Sequence, residues 1–138
     1  MKSKTAAAKL SNLPEIMNLI NECLRNTSYS ETVKNQILIS AEEIFTNIVS
    51  YAYPDQEDGM VEVSCGITER NGSSFLQIGF RDWGLPYNPL KRKDPDFEIP
   101  FEERKIGGLG IYMVRQFMDS VEYQFADGCN QLWLGKLL

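Results

Sequence analysis

The sequence predicts an α+β fold, a two-layer α/β sandwich with helices on one face of a mostly antiparallel mixed sheet. Two tight-turn signals predict the antiparallel pairs, because Asn71-Gly72 and Asp127-Gly128 each lie between two runs of strand-forming residues. Two helix-forming stretches precede the first hairpin and supply the second layer. A continuous parallel sheet is disfavoured, since a parallel pair needs a long crossover and these strands are joined by tight turns.

The N-terminal part predicts one short strand and two helices. The run KTAAAKL predicts an edge strand, and a helix is predicted to begin near Ser11 or Asn12, just before Pro14. A longer helix follows, capped near Ser30 and stopped by Pro54. Its apolar positions form one arc that we expect to face the sheet: Val33, Ile37, Ala41, Ile44, Ile48 and Ala52.

Two hairpins, a loop and a third helix complete the chain. The runs MVEVSCGITER and SSFLQIGFRDW predict the first hairpin, and VEYQFADGCNQLWLGKL predicts the second. Residues 82–106 hold four prolines and many charged side chains, which predicts a long structureless segment of the kind that serves as a lid or a linker. A helix is predicted from about residue 109 to 118.

Composition excludes several classes of function. A chain of 138 residues fits one domain, 1–138, and its net charge of −5 disfavours binding to nucleic acid. The apolar runs are too short to span a membrane, so no membrane partner is expected. The chain contains no histidine, which excludes Ser-His and Cys-His nucleophile pairs, imidazole metal sites and a histidine phosphoacceptor within it.

The cysteines and the N-terminus bear on the compartment. Cys23, Cys65 and Cys129 are odd in number and form no CxxC pair, so we expect buried free thiols and a reducing compartment. No apolar signal-peptide core follows the basic start of the chain. The expectation is therefore a cytoplasmic protein.

A carboxylate and a carboxamide lie one turn apart on the long helix. Glu43 and Asn47 are spaced i, i+4, so their side chains meet on one polar stripe together with Gln36 and Ser40. Such a pair can act as a base and as an oxygen ligand for a hard cation such as Mg²⁺. Taken alone, the pattern is more often a solvated helix face.

Asp82 follows a strand and is followed by Gly84. A carboxylate in this position can accept a hydrogen bond from a ligand amino group, and the glycine permits close approach. Taken alone, Asp-x-Gly is more often an ordinary turn.

Three glycines open the third helix, in RKIGGLGIYMVRQF. Free N–H groups and the positive dipole end at a helix N-terminus suit phosphate, and Gly107, Gly108 and Gly110 would let the backbone approach it. The segment is neither a Walker A loop, because no GKS or GKT follows, nor a convincing dinucleotide fingerprint. A merely flexible loop is an equal alternative.

The order of these motifs resembles the GHKL ATP-binding superfamily, which includes gyrase-type ATPases and histidine-kinase catalytic domains. The matching stretches are AEEIFTNIVSYAYP, RDWGLPYNPL and ERKIGGLGIYMVRQFMDSVEY, and the order of elements fits over essentially the whole chain. Within the superfamily, the chain is most similar to the stand-alone anti-sigma-factor serine/threonine kinases of bacterial partner switching. The fold implied by the resemblance is the Bergerat ATP-binding fold.

The resemblance implies a role for each matching residue. Asn47 would coordinate the Mg²⁺ that bridges the phosphates, and Glu43 would be the general base. Asp82 would accept the adenine amino group, with Gly84 shaping the purine pocket. Residues from about 88 to 106 would form the ATP lid. The end of that lid and the start of the helix would bind the triphosphate, through Gly107, Gly108, Leu109 and Gly110. Two cations just upstream, Arg104 and Lys105, could neutralise the terminal phosphate, although a solvent-exposed role is an equal alternative.

The implied function is an ATP-dependent serine protein kinase with ATP and Mg²⁺ as cofactors. Its acceptor would be a small anti-sigma-factor antagonist, and a sigma factor and a second copy of the chain are further expected partners. The alternative is a nucleotide-gated protein-binding module that transfers no phosphate. A detached histidine-kinase catalytic domain and a nucleotide-independent structural domain are weaker alternatives. The chain departs from the common pattern at Tyr51 and Tyr53, where many relatives have a histidine or other polar residue, and at Pro86, which replaces a glycine.

Overall fold

A computed structural model of the chain describes residues 1–56, 58–94, 96–100 and 109–138. The helices are α1 (Leu13–Leu24), α2 (Glu31–Tyr51) and α3 (Leu109–Phe117). The strands are β1 (Lys2–Ala7), β2 (Met60–Arg70), β3 (Ser73–Asp82), β4 (Ser120–Ala126) and β5 (Cys129–Leu137). Two short 3-10 helices lie at Leu10–Asn12 and Pro89–Lys91.

The strands form one five-stranded sheet in the order β1-β2-β3-β5-β4. All four strand pairs are antiparallel, so the described part of the chain contains no parallel pair. Both predicted hairpin turns are present. Asn71 and Gly72 have φ angles of 51° and 81°, and Asp127 and Gly128 have φ angles of 57° and 76°. Left-handed backbone at both central positions is the geometry that favours Asn-Gly and Asp-Gly in two-residue hairpin turns.

The helices cover one face of the sheet, as predicted. Alternate residues of β2, β3 and β5 pack with the apolar faces of the helices in one buried cluster. On α2, Ile37, Ala41 and Ile44 of the predicted arc are at most 2% exposed. Burial of such side chains is the main stabilising contribution, at roughly 1.5–3 kcal/mol for each large aliphatic side chain. On the opposite face of the sheet, the indole of Trp133 fills the space above Gly79.

The helix starts agree with the predicted signals. The Ser30 hydroxyl accepts a hydrogen bond from the backbone N–H of Val33 at 3.1 Å, which caps α2. Helix α1 begins directly after Asn12, with Pro14 in its first turn. Among the described helices, none has the length and the apolar character needed to cross a bilayer.

The cysteine prediction is wrong for two of the three residues. Cys23 on α1 and Cys65 on β2 form a disulfide, with their Cα atoms 6.6 Å apart, whereas Cys129 is free and buried. The sequence gives no sign of this pairing, because the two residues lie 42 positions apart and meet only when α1 packs on the sheet. The inference from three free thiols to a reducing compartment therefore does not hold.

The described part of the predicted structureless segment contains a regular turn. Its residues 89–91 form a 3-10 turn that Asn88 caps by accepting the N–H of Leu90 at 2.9 Å. Pro89 is buried, and the guanidinium of Arg115 on α3 donates a hydrogen bond to the carbonyl of Leu90. A three-residue turn has no periodicity for sequence reasoning to find. Of the predicted lid, residues 95 and 101–106 lie outside the described residues.

Candidate functional site

A pocket lies between the C-terminal half of α2, the end of β3 and the start of β5, and the segment after β3 forms its outer wall. Asn47 and Asp82, which lie on different elements and 35 positions apart, both line it. The walls are otherwise largely apolar. The full set of lining residues is Ile44, Asn47, Ile48, Ala52, Phe80, Asp82, Leu85, Tyr87, Pro89, Tyr123, Asn130 and Leu132.

Glu43 and Asn47 contact each other and are shielded from solvent, so they do not belong to a solvated helix face. Asn47 is only 7% exposed, Glu43 is half-buried and Ser40 is fully buried. The Asn47 amide nitrogen donates to the Glu43 carboxylate Oε1 at 2.9 Å and to the Glu43 backbone carbonyl at 2.8 Å. Because a carboxamide nitrogen has two hydrogens, both are used on Glu43. The Asn47 side-chain oxygen receives no hydrogen bond from the described residues, and it can therefore bind a ligand.

Asp82 is a buried carboxylate that lines the pocket. Its Oδ1 accepts hydrogen bonds from the backbone N–H of Gly84 at 3.0 Å and from the Asn130 side chain at 2.9 Å. Its Oδ2 receives no hydrogen bond from the described residues. Burial raises the pKa of Asp82 above its ordinary value of 3.8, and the hydrogen bonds from Asn130 and Gly84 oppose that rise. The pocket therefore contains a buried acceptor with one unused oxygen.

Gly84 is required because the backbone there passes close to the end of α2, and not because it approaches a ligand. A Cβ atom at this position would lie 2.1 Å from the carbonyl oxygen of Ala52. The N–H of Leu85 donates to that same carbonyl at 2.9 Å. The chain after Asp82 thus rests directly on the last turn of α2, so the interpretation as an ordinary turn is incomplete.

Tyr53 supports the same corner from the other side. Its hydroxyl donates to the carbonyl of Met60 at 2.6 Å and accepts the backbone N–H of Trp83 at 2.8 Å. Tyr53, at a position where many relatives have a histidine or another polar residue, therefore joins the start of β2 to the end of β3. Tyr51 has a different role, since its ring lies 5.2 Å from that of Tyr87.

The start of α3 packs against Glu43. A Cβ atom at Gly110 would lie 2.0 Å from both the carboxyl carbon and Oε1 of Glu43. Leu109, the first residue of α3, is half-buried. The first turn of α3 is thus next to the carboxylate to which Asn47 donates. Four further predicted site residues lie outside the described residues, and their roles stay predictions: Arg104, Lys105, Gly107 and Gly108.

Sequence reasoning missed Asn130, Tyr87 and Tyr123. Asn130 is 6% exposed and lies directly across the β3–β5 pair from Asp82. The sequence does carry a signal for it, because Asn130 is in phase with the buried Leu132 and Leu134 on alternate positions of one strand. A carboxamide at a core position must find partners, and such a residue often belongs to a site.

The comparison with known families decides the classification. Residues 6–136 match the sequence profile described as "Histidine kinase-like ATPase domain". The chain belongs to this family. The superfamily resemblance and the α+β fold are confirmed.

Several similar proteins are named as kinases that act on serine or on serine and threonine. The serine/threonine-protein kinase BtrW of Bordetella bronchiseptica is 25% identical to this chain, over a match that covers 97% of this chain and 94% of BtrW. The serine-protein kinase RsbW of Bacillus cereus is 32% identical over 76% of this chain and 64% of that protein. The anti-sigma F factor of Clostridium novyi is 29% identical over 59% of this chain. The chain spans less than two thirds of the length of the RsbW relatives that it matches.

A solved structure shows the same fold. The RsbU and RsbW domains of a Mycobacterium tuberculosis protein match 99% of this chain and 33% of that chain, with a TM-score of 0.60 and 12% identity. A histidine kinase domain from Erythrobacter litoralis matches with a TM-score of 0.51 and 15% identity. At these identities the likeness concerns the fold alone.

Proposed function

We propose that this chain is a Mg·ATP-dependent protein serine kinase of the partner-switching type. The observation that carries the proposal is that Asn47 and Asp82 line one pocket, with Glu43 hydrogen-bonded to Asn47. Two relatives named as serine-protein kinases and one named as an anti-sigma factor support it. The acceptor is proposed to be a serine on a small antagonist protein, and a sigma factor is the second proposed partner.

The pocket chemistry fits an adenine nucleotide. The Oδ2 of Asp82, which no described residue uses, can accept a hydrogen bond from the adenine amino group. Apolar side chains of Ile44, Ile48 and Phe80 can enclose the two faces of the ring. Leu85 and Tyr87, on the segment after β3, would close the outer side.

The magnesium requirement fits the single oxygen of Asn47. Mg²⁺ keeps most of its water or phosphate ligands and takes one or two oxygens from the protein. The described residues contain no cluster of three or more acidic, Cys or His side chains that could hold a metal by itself. Asn47 would therefore bind the ion together with the phosphates, and the ion would neutralise their charge when bound.

Glu43 is the residue proposed to move the proton. Asn47 fixes one of its carboxylate oxygens, which leaves Oε2 to accept the proton of the serine hydroxyl while the serine oxygen bonds to the γ-phosphorus of ATP and the bond from that phosphorus to the leaving ADP breaks. General-base assistance of this kind contributes about 10²–10⁴-fold to a rate. The N-terminus of α3 would direct its N–H groups towards the phosphates, with the predicted glycines upstream allowing close approach. Arg104 and Lys105 stay proposed phosphate ligands.

A nucleotide-gated binding module is the second candidate, favoured by the relative that is named as an anti-sigma factor. Such a module would need Asp82 and Asn47 but not Glu43 as a base. The two candidates therefore differ in whether phosphate leaves ATP.

The test uses the purified full chain with Mg²⁺, γ-labelled ATP and a panel of small candidate antagonist proteins. Label on an acceptor serine supports the kinase, and it should disappear in Glu43→Gln while ATP binding remains. A stable complex with no labelled acceptor supports the binding module. Calorimetry that detects no ATP or ADP binding in the presence of Mg²⁺ refutes both.

A further inference from the structure

We infer that Asn130 is a positioning residue that sets purine selectivity by fixing which oxygen of Asp82 faces the pocket. The inference rests on the proposed adenine-nucleotide site and adds to it a residue on β5, 48 positions from Asp82. Asn130 lines the pocket, but the polar atoms of its side chain are all hydrogen-bonded to the protein. It acts through Asp82 and through the segment that closes the pocket.

The carboxamide of Asn130 uses its entire hydrogen-bonding capacity on the protein. Its nitrogen donates to Asp82 Oδ1 and to the carbonyl of Leu85, each at 2.9 Å. Its oxygen accepts the backbone N–H of Tyr87 at 3.1 Å and the hydroxyl of Tyr123. Two hydrogens and two lone pairs are thus all engaged. The two donors on its oxygen permit only one orientation of the amide, with the nitrogen towards Asp82.

This orientation determines what Asp82 can offer a base. With Oδ1 held by Asn130 and Gly84, the carboxylate cannot rotate without breaking two hydrogen bonds. Oδ2 is then a fixed acceptor. A purine with an amino group at position 6 donates to it, whereas a purine with an oxo group at that position brings a second acceptor towards it. Asn130 therefore favours an amino purine over an oxo purine.

The same residue links base recognition to closure of the pocket. Leu85 and Tyr87 line the pocket, and both are bonded to Asn130 through their backbones. A change in the position of Asp82 is therefore transmitted to the outer wall. Loss of the carboxamide would release the wall and the acceptor together.

Electrostatics add a second effect in the same direction. Burial favours the neutral form of Asp82, and the hydrogen bond from Asn130 is the largest influence that opposes it. Within the part of the chain that the structure describes, the titratable groups facing Asp82 are the hydroxyls of Tyr53 and Tyr123, and no ion pair there includes Asp82. Asn130 thus also helps to keep the acceptor ionised.

The experiment measures binding of ATP and of ITP, which differs in carrying an oxo group at position 6, to the full chain with Mg²⁺. Asn130→Ala should weaken ATP binding by about tenfold more than ITP binding, because release of the outer wall affects both nucleotides whereas only ATP loses the hydrogen bond to a positioned, charged acceptor. The ATP:ITP preference would then fall by about tenfold. Gln131→Ala is the matched control, because it removes the neighbouring carboxamide from the opposite face of β5.

A merely structural role predicts a different result. If Asn130→Ala weakens ATP and ITP equally, or leaves both unchanged, the inference is overturned. Tyr123→Phe keeps the inference testable should the alanine variant not fold, because it removes only the hydroxyl that orients the amide. It should lower the ATP:ITP preference by about threefold, as expected for one neutral hydrogen bond, and an unchanged preference would count against the inference. Wild-type protein that binds neither nucleotide would refute the proposed function itself.

Discussion

Gly110 offers the sharpest separation of catalysis from stability. The substitution Gly110→Ala adds a methyl group whose carbon would lie 2.0 Å from the carboxyl carbon of Glu43. Non-bonded carbon atoms pack at about 3.5–4.0 Å, so the Glu43 side chain must withdraw by more than about 1 Å. The helix start has little freedom to move instead, since Ile111 and Val114 of α3 are buried in the core.

The cost to folding should be small and the cost to transfer large. Alanine is favoured over glycine in a helix by up to about 1 kcal/mol, and the lost Asn47–Glu43 hydrogen bond, which is made to a carboxylate, is worth about 1.5–3 kcal/mol, so the net loss of stability should be about 1 kcal/mol. A displacement of about 1 Å in a reacting group can cost about 10²-fold in rate. We therefore expect phosphate transfer to fall about 100-fold or more, with the melting temperature within a few degrees of wild type.

The assay compares initial rates of labelled phosphate transfer with thermal unfolding and ATP binding. Gly66→Ala is the control, because a Cβ atom there would meet nothing closer than Met1 at 3.4 Å. It should leave the transfer rate unchanged. A Gly110→Ala protein that transfers phosphate at the wild-type rate would show that Glu43 does not act from the position seen here.

Three further predictions concern Glu43, Asp82 and Tyr53. Glu43→Gln should retain ATP affinity, because Asn47 can still donate to the amide oxygen, and should lose about 10²–10⁴-fold in transfer rate; equal loss of both properties would refute its role as base. Asp82→Asn should weaken ATP binding yet raise the melting temperature at pH 7. Burial holds the Asp82 pKa above 3.8, so its ionised form costs stability above that pKa, and the gain should vanish as pH falls through it. A gain that instead increases at low pH would contradict this sign. Tyr53→Phe should lower the free energy of unfolding by about 1–2 kcal/mol in urea titrations, since its hydroxyl joins Met60 to Trp83. Tyr51→Phe, whose hydroxyl makes no hydrogen bond to the described residues, is the control, and an equal loss in both variants would refute the reasoning.

Local signals in the sequence were enough for most of the fold. The turn pairs Asn71-Gly72 and Asp127-Gly128, the cap at Ser30 and the stop at Pro54 each act within a few residues, so they mark element boundaries without tertiary information. The apolar arc of α2 likewise indicates which face is buried. These features are where local preference and the final structure agree.

Features that depend on distant contacts were not predictable in the same way. The disulfide needs α1 to pack on β2, and the burial of Asn47 needs the pocket to close around α2. Gly84 and Gly110 were recognised as close-approach positions, but their neighbours are the Ala52 carbonyl and the Glu43 carboxylate. Sequence reasoning had assigned that space to a ligand.

The pairing of β3 with β5 has a consequence for how the chain folds. It brings together the β2–β3 hairpin and the β4–β5 hairpin, and the pocket is complete only after they join, because Asp82 comes from one and Asn130 from the other. A ligand held there would recognise the finished protein and not its halves. At a concentration 100 times its dissociation constant, such a ligand would stabilise the folded state by about 2.7 kcal/mol. A bound nucleotide would therefore favour the association of the two hairpins during folding.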